Sequence, residues 1–169
     1  MEELFRNRAS AVLMESLCAF KVRRDGNDRT GIRTAVKRLV DGRVVGVFPE
    51  GGIRAGKGSV LEGAPMWPGA SALSVLSGKP VVPGVILGTD RLYDKRNWFR
   101  FRRVPVWIGF GEKISPRSDL PKRDARDLVQ TSLSEAFVSL KERLVIEFGL
   151  AEKDLPTTPQ ARKREDYLP

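Results

Sequence analysis

The stretch VVGVFPEGGIRAG (44–56) decides how the rest of the chain reads. Its first half is an uninterrupted apolar run, the pattern of a strand covered on both faces. The run stops abruptly in Pro49, Glu50, Gly51 and Gly52, and an arginine follows at Arg54. Glycines let the backbone approach a ligand closely, a guanidinium presents a rigid fork of donors that suits phosphate oxygens, and a carboxylate accepts from a hydroxyl. A tight turn carrying a solvated glutamate explains the same letters, so both readings stand at this level. The elbow lacks the Gly-Lys-Ser/Thr ending of a Walker loop and is not a dinucleotide fingerprint.

Outward from the elbow, RVVGVF (43–48) reads as the second of four strands, after AFKVR (19–23) and before VVPGVIL (81–87) and VPVWIGFG (104–111). Helical spacing fills the intervals. Residues 2–18 carry one apolar face that Cys18 continues, and a free cysteine there is expected in the core. Ile32, Ala35, Val36, Leu39 and Val40 form a second face, ended by Asp41-Gly42. GASALSVLSGKP is a short helix stopped by Gly78 and Pro80, and residues 123–148 carry a long stripe that includes Ala125, Leu128, Val129, Leu133, Phe137, Leu140 and Leu144. Strands alternating with helices predict an α/β fold, a layered domain with a mostly parallel central sheet flanked by helices, over 1–148. A flexible polar tail is expected over 149–169.

A chain of 169 residues is long enough for one domain with a real core. Thirty basic against twenty-one acidic residues favour an anionic partner, whether phosphate, a phospholipid surface or nucleic acid. The single cysteine excludes an internal disulfide framework, no leader is expected from the opening residues, and no apolar run reaches the ~18 residues of a membrane span. A cytoplasmic chain with no transmembrane helix is the expectation. There is no histidine, the commonest general base near neutral pH.

Ligands of open α/β sheets lie beyond the carboxyl ends of the strands, where both the 23–26 turn and the elbow fall. Arg23, Arg24 and Arg54 are therefore candidates to converge on one phosphate, with Glu50 on a substrate hydroxyl. A second candidate is RLYDKRNWFRFRR (91–103), where Arg96, Arg100, Arg102 and Arg103 interleave with Trp98 and Phe99. Rings at headgroup depth beside cations make a membrane-surface patch. The same mixture suits stacked bases, and equally a solvated loop whose aromatics anchor it.

In order, Val-Arg-Arg-Asp (22–25), Phe-Pro-Glu-Gly (48–51) and Val-Val-Pro (81–83) match three of the four sequence blocks of the glycerolipid acyltransferases, and the chain resembles that family from about residue 4 to 114. The resemblance implies a glycerol-3-phosphate acyltransferase-like fold, N-terminally incomplete, and transfer of a fatty acyl group from acyl-CoA or acyl-carrier protein to a lysophospholipid such as 1-acyl-glycerol-3-phosphate. It assigns acceptor phosphate binding to Arg24 with Arg23 beside it, and acceptor binding to Glu50, Gly51 and Arg54, the arginine displaced by one residue from the family's place. Phe48, Pro49, Val82 and Pro83 are implied in shaping the pocket. No cofactor or metal is implied, since the acyl thioester is a co-substrate; an anionic membrane is the implied peripheral partner, at its inner face, and nucleic acid is not. The family's first block, a histidine with an aspartate five residues on, has no counterpart here, and the chain begins just after its place. As written, the chain is expected not to catalyse transfer; the alternative is a non-catalytic remnant that binds phosphate or anionic lipid.

Overall fold

A computed structural model describes residues 12, 16, 18–20, 29–93 and 103–158. The chain divides into two compact units, Met1–Gly46 and Val47–Pro169.

In the first unit, helix α1 spans Arg29–Val40 and ends as the sequence predicts. Gly42 takes φ +80°, and the paired bonds Gly42 N–H to Leu39 O and Arg43 N–H to Arg38 O close a Schellman cap. Its apolar stripe is only partly covered: Ala35 is buried, while Ile32 and Val40 are exposed. The Arg38 guanidinium donates to Cys18 O and lies 4.8 Å from the Phe20 ring centre. Cys18 itself is exposed and takes φ +55°, so it is not the core residue that its type suggests; it occupies a turn, and turn geometry outweighs the apolarity of a small side chain. Of the strand expected over 19–23, residues 19 and 20 are described and are not in a strand; most of the helix expected over 2–18 lies outside the described residues.

The second unit is built on α3, Lys122–Phe148. Ala125, Val129, Leu133, Phe137, Leu140 and Leu144 recur every three or four residues and are its buried side. Leu128, expected in the same stripe, is exposed. Asp124 lies in the first turn, where a negative charge meets the positive end of the helix dipole. At the other end Gly149, at φ +59°, donates to Ile146 O while Leu150 N–H donates to Val145 O, a second Schellman cap. Leu150 then packs on the core.

The buried side of α3 lies against a two-stranded sheet, β1 (Gly84–Leu87) and β2 (Trp107–Phe110), paired antiparallel with Val85 opposite Gly109 and Leu87 opposite Trp107. Val85 and Leu87 are 2% and 0% exposed, and an added Cβ on Gly109 would lie 3.1 Å from Leu144, so its bareness lets helix and strand close up. The opposite face, with Ile86, Ile108 and Phe110, is open. Beyond β1 the pairing continues through Gly111 N–H to Pro83 O and the reciprocal bonds of Val81 with Ile114. One residue lies between 81 and 83 and two lie between 111 and 114, so one extra residue bulges out on the second side.

Two expectations differ from this architecture. The mostly parallel central sheet is not what the described residues form: the two strands present are antiparallel, and their connection carries, among its described residues, only the 3₁₀ turn Thr89–Tyr93. Parallel neighbours need a long crossover, usually a helix. Residues 43–48, expected as a strand buried on both faces, are not a strand; Val44 is 96% and Phe48 81% exposed. An extended apolar run becomes a strand only where a ladder partner takes its N–H and C=O groups, and among the described residues it has none.

A short helix, α2 (Gly69–Ser77), ends at Gly78 with φ +67°. It is tied to α3 by the buried Ser71 hydroxyl, which donates to Gln130 Oε1 at 2.7 Å, while Gln130 Nε2 donates to Met66 O at 3.1 Å. Residues 150–158, assigned to the tail by sequence, are anchored. Arg91 pairs with Asp154 at 2.5 Å and lies 5.6 Å from the Trp107 ring centre, and Thr157 N–H donates to buried Asp90 at 3.3 Å. The Arg91 guanidinium and the Ala151 N–H hold the Asp154 carboxyl below the usual carboxylate range.

Candidate functional site

The elbow opens the second unit. Gly51 N–H donates to Phe48 O at 3.3 Å, closing a turn over 48–51, and Trp67 N–H donates to Pro49 O at 2.9 Å, so the loop returns on itself. Gly51 takes φ +67°, a region that side chains rarely adopt, and a Cβ there would meet the Trp67 indole at 2.8 Å. Gly52 has no positive φ and open space around it. Only the first glycine of the pair is dictated by the backbone.

Glu50 is held inside this loop. Its Oε1 accepts from Ser59 Oγ at 2.6 Å and from Val60 N–H at 2.9 Å. Ser59 is 5% exposed and starts the 3₁₀ turn Val60–Glu62, where its Oγ also accepts from Leu61 N–H at 3.2 Å. That turn is fixed in two ways: Val60 is part of the core cluster, and Glu62 pairs with Lys141 of α3 at 2.8 Å. Among the described residues no hydrogen bond reaches Glu50 Oε2. Arg54, half-buried, donates through one Nη to Pro65 O at 3.3 Å, which leaves the other donors of its fork for a ligand. The loop thus offers a carboxylate oxygen and a guanidinium from one short segment, a pairing that suits a ligand carrying both a hydroxyl and an anionic group.

Of the residues singled out from sequence, Glu50, Gly51 and Arg54 lie together on this loop. Arg23 and Arg24 lie outside the described residues, as do Arg96, Trp98, Phe99, Arg100 and Arg102 of the basic run; Arg103 is described and exposed. The residues expected to shape a pocket divide. Phe48 and Val82 are 81% and 54% exposed, Pro49 is half-buried, and Pro83 is fully buried. Pro83 is a packing residue: an added Cβ on Gly111 would lie 2.9 Å from its ring and 3.2 Å from Leu140. Among the described residues no cluster of acidic and cysteine side chains is placed to hold a metal ion, and no helix is long and apolar enough to cross a membrane.

Sequence reasoning passed over Ser59 and Trp67. A signal for Ser59 was present, since Ser-x-x-Glu over 59–62 has the form of a capping box and marks a turn that a serine starts. Nothing in the spacing discloses that the same hydroxyl reaches back nine residues to Glu50.

No family model and no solved structure matches the chain. Over 143 residues, 85% of this chain and 67% of the relative, it is 24% identical to the 1-acyl-sn-glycerol-3-phosphate acyltransferase of Bacillus subtilis (strain 168). The likeness is distant, and it suggests the acyltransferases of glycerolipid synthesis.

Proposed function

We propose that this chain carries the acceptor-binding part of a glycerolipid acyltransferase whose donor is acyl-CoA or acyl-carrier protein and whose acceptor is a lysophospholipid such as 1-acyl-glycerol-3-phosphate. One observation carries the reading: Glu50 is anchored through a single carboxylate oxygen at a glycine elbow, with Arg54 on the same loop. The other oxygen accepts from an acceptor hydroxyl, and the guanidinium takes a phosphate oxygen. In the reaction the hydroxyl oxygen attacks the thioester carbonyl, a C–O bond forms, the C–S bond breaks and the thiol leaves. The hydroxyl proton needs a base, which is a histidine in the family that the sequence resembles. None of the 169 residues is a histidine, so these residues are assigned binding and orientation, with no proton transfer.

That absence favours a second reading, a non-catalytic module that binds phosphate or anionic lipid peripherally, with the basic run from Arg96 to Arg103 on the membrane. Two measurements separate the readings. Calorimetric titration with monomeric 1-acyl-glycerol-3-phosphate is expected to show binding that Glu50→Gln and Arg54→Ala each weaken; binding unaffected by either substitution removes the acceptor site. Flotation with anionic and neutral vesicles tests the membrane contact, and thiol release from acyl-CoA plus the same acceptor, at the rate of a complete acyltransferase, would show that another group serves as base.

A further inference from the structure

We propose that Ser59 is a positioning residue for Glu50: with Val60 N–H it pins Oε1 so that Oε2 is turned to the acceptor hydroxyl. The inference rests on the acceptor-binding reading and deepens it.

A free glutamate samples several rotamers, and ordering it on binding weakens affinity. Here the ordering precedes any ligand. The two donors converge on one oxygen from adjacent residues, at 2.6 and 2.9 Å, which fixes where the carboxylate sits. The Ser59 hydroxyl is fixed in turn. Its hydrogen is committed to Glu50 and its oxygen accepts from Leu61 N–H, so it cannot swivel to another partner without abandoning one of these bonds. The backbone beneath is equally committed, because Ser59 O accepts from Glu62 N–H at 3.0 Å and Ala64 N–H at 3.1 Å. Val60 is sunk in the core and the Glu62–Lys141 pair ties the turn to α3, so the support for the site's carboxylate is the core itself. Among the described residues Oε2 makes no hydrogen bond, which is the oxygen a ligand would require free.

A serine in this place also starts a 3₁₀ turn, so the test must separate holding the loop from holding the glutamate. The full chain is titrated calorimetrically with monomeric 1-acyl-glycerol-3-phosphate as wild type, Ser59→Ala, Ser59→Cys, Ser59→Thr and Glu50→Gln, and with Ser59→Ala combined with Glu50→Gln. Loss of the hydroxyl is expected to weaken binding about fivefold to tenfold in both Ser59→Ala and the near-isosteric Ser59→Cys. Ser59→Thr keeps the donor and is expected to restore affinity to within about twofold. In the Glu50→Gln background, where the outward oxygen is replaced by an amide nitrogen, Ser59→Ala is expected to add nothing, the non-additivity of residues acting through one another. Wild-type affinity in Ser59→Cys overturns the proposal, and so does a Ser59→Ala loss that persists undiminished beside Glu50→Gln, which would assign the hydroxyl to loop structure alone. If Glu50→Gln binds like wild type, the acceptor-binding reading itself has failed.

Discussion

The elbow contains two adjacent glycines that look interchangeable in sequence and are not, and replacing each by alanine measures the difference. Gly51 has φ +67°, where a Cβ crowds the following carbonyl, at a cost of about 1–2 kcal/mol for an L-residue. The Cβ would also lie 2.8 Å from Cδ1 and Nε1 of Trp67, closer than real contacts allow. Trp67 is 60% exposed, so its indole can swing away, and this second term should stay below about 1 kcal/mol. Gly51→Ala is therefore expected to destabilise the fold by about 1–3 kcal/mol. Gly52 has ordinary φ and nothing within 4 Å, so Gly52→Ala should be neutral or stabilising by up to about 1 kcal/mol, through the restricted unfolded chain. Urea unfolding followed by circular dichroism reads both; with a slope near 1–3 kcal/mol per molar, the Gly51 midpoint should fall by about 1 M and that of Gly52 should hold or rise. Tryptophan fluorescence of Gly51→Ala should change in the folded baseline as the indole moves. Equal midpoints for the two variants would refute the reasoning.

Other substitutions probe the frame around the site. Gly88, at φ +89°, would place a Cβ 2.4 Å from Pro105 O, a backbone atom beside β2 that cannot swing aside, so Gly88→Ala should cost at least about 3 kcal/mol, more than Gly51→Ala, by the same unfolding assay. Arg91→Ala should speed amide exchange over 151–155 at neutral pH without lowering protection in the middle of α3, because it removes the Asp154 pair. The folded pKa of Asp154 is depressed, so in the wild type this contribution is complete above the ordinary carboxylate range and is lost as pH falls through the lowered folded value. Protection over 151–155 in wild type, taken relative to the intrinsic exchange rate at each pH, should fall on strong acidification, and unchanged exchange between wild type and variant at neutral pH would refute the anchoring. The Arg117–Asp119 pair lies in the open, and although its carboxyl is similarly lowered, Arg117→Ala should leave the urea midpoint unmoved.

The long helix was legible because its signals agree at every level: a stripe at helical spacing, an acidic first turn at Asp124 and a glycine where it ends. The sheet was less so. The segments around β1 and β2 were readable as strands, but alternation of strands with helical segments does not fix strand direction, which is set by what connects them. Residues 43–48 show the complementary failure, because an apolar pattern records the wish for burial and says nothing of a partner. For the site, Glu50 and Arg54 stood out by charge at a glycine turn. Ser59 did not, since its role is a contact across nine residues that no local pattern encodes.

The strongest competing explanation of Glu50 is that it only caps the Val60–Glu62 turn, and the two explanations part over its second oxygen. Both donors to Oε1, a hydroxyl and an N–H, are neutral, and a glutamine oxygen would accept the same two bonds. A carboxylate makes them stronger, but neither bond requires one. Capping alone has no use for a second acceptor oxygen; a ligand hydroxyl needs one, and a glutamine whose oxygen faces Ser59 would present an N–H donor in its place. Glu50→Gln should accordingly leave stability within about 1 kcal/mol of wild type while weakening acceptor binding, the separation of stability from function expected at a binding site. The opposite result, a large fall in the unfolding midpoint with unchanged binding, would return Glu50 to the turn and leave Arg54 without its partner in the site.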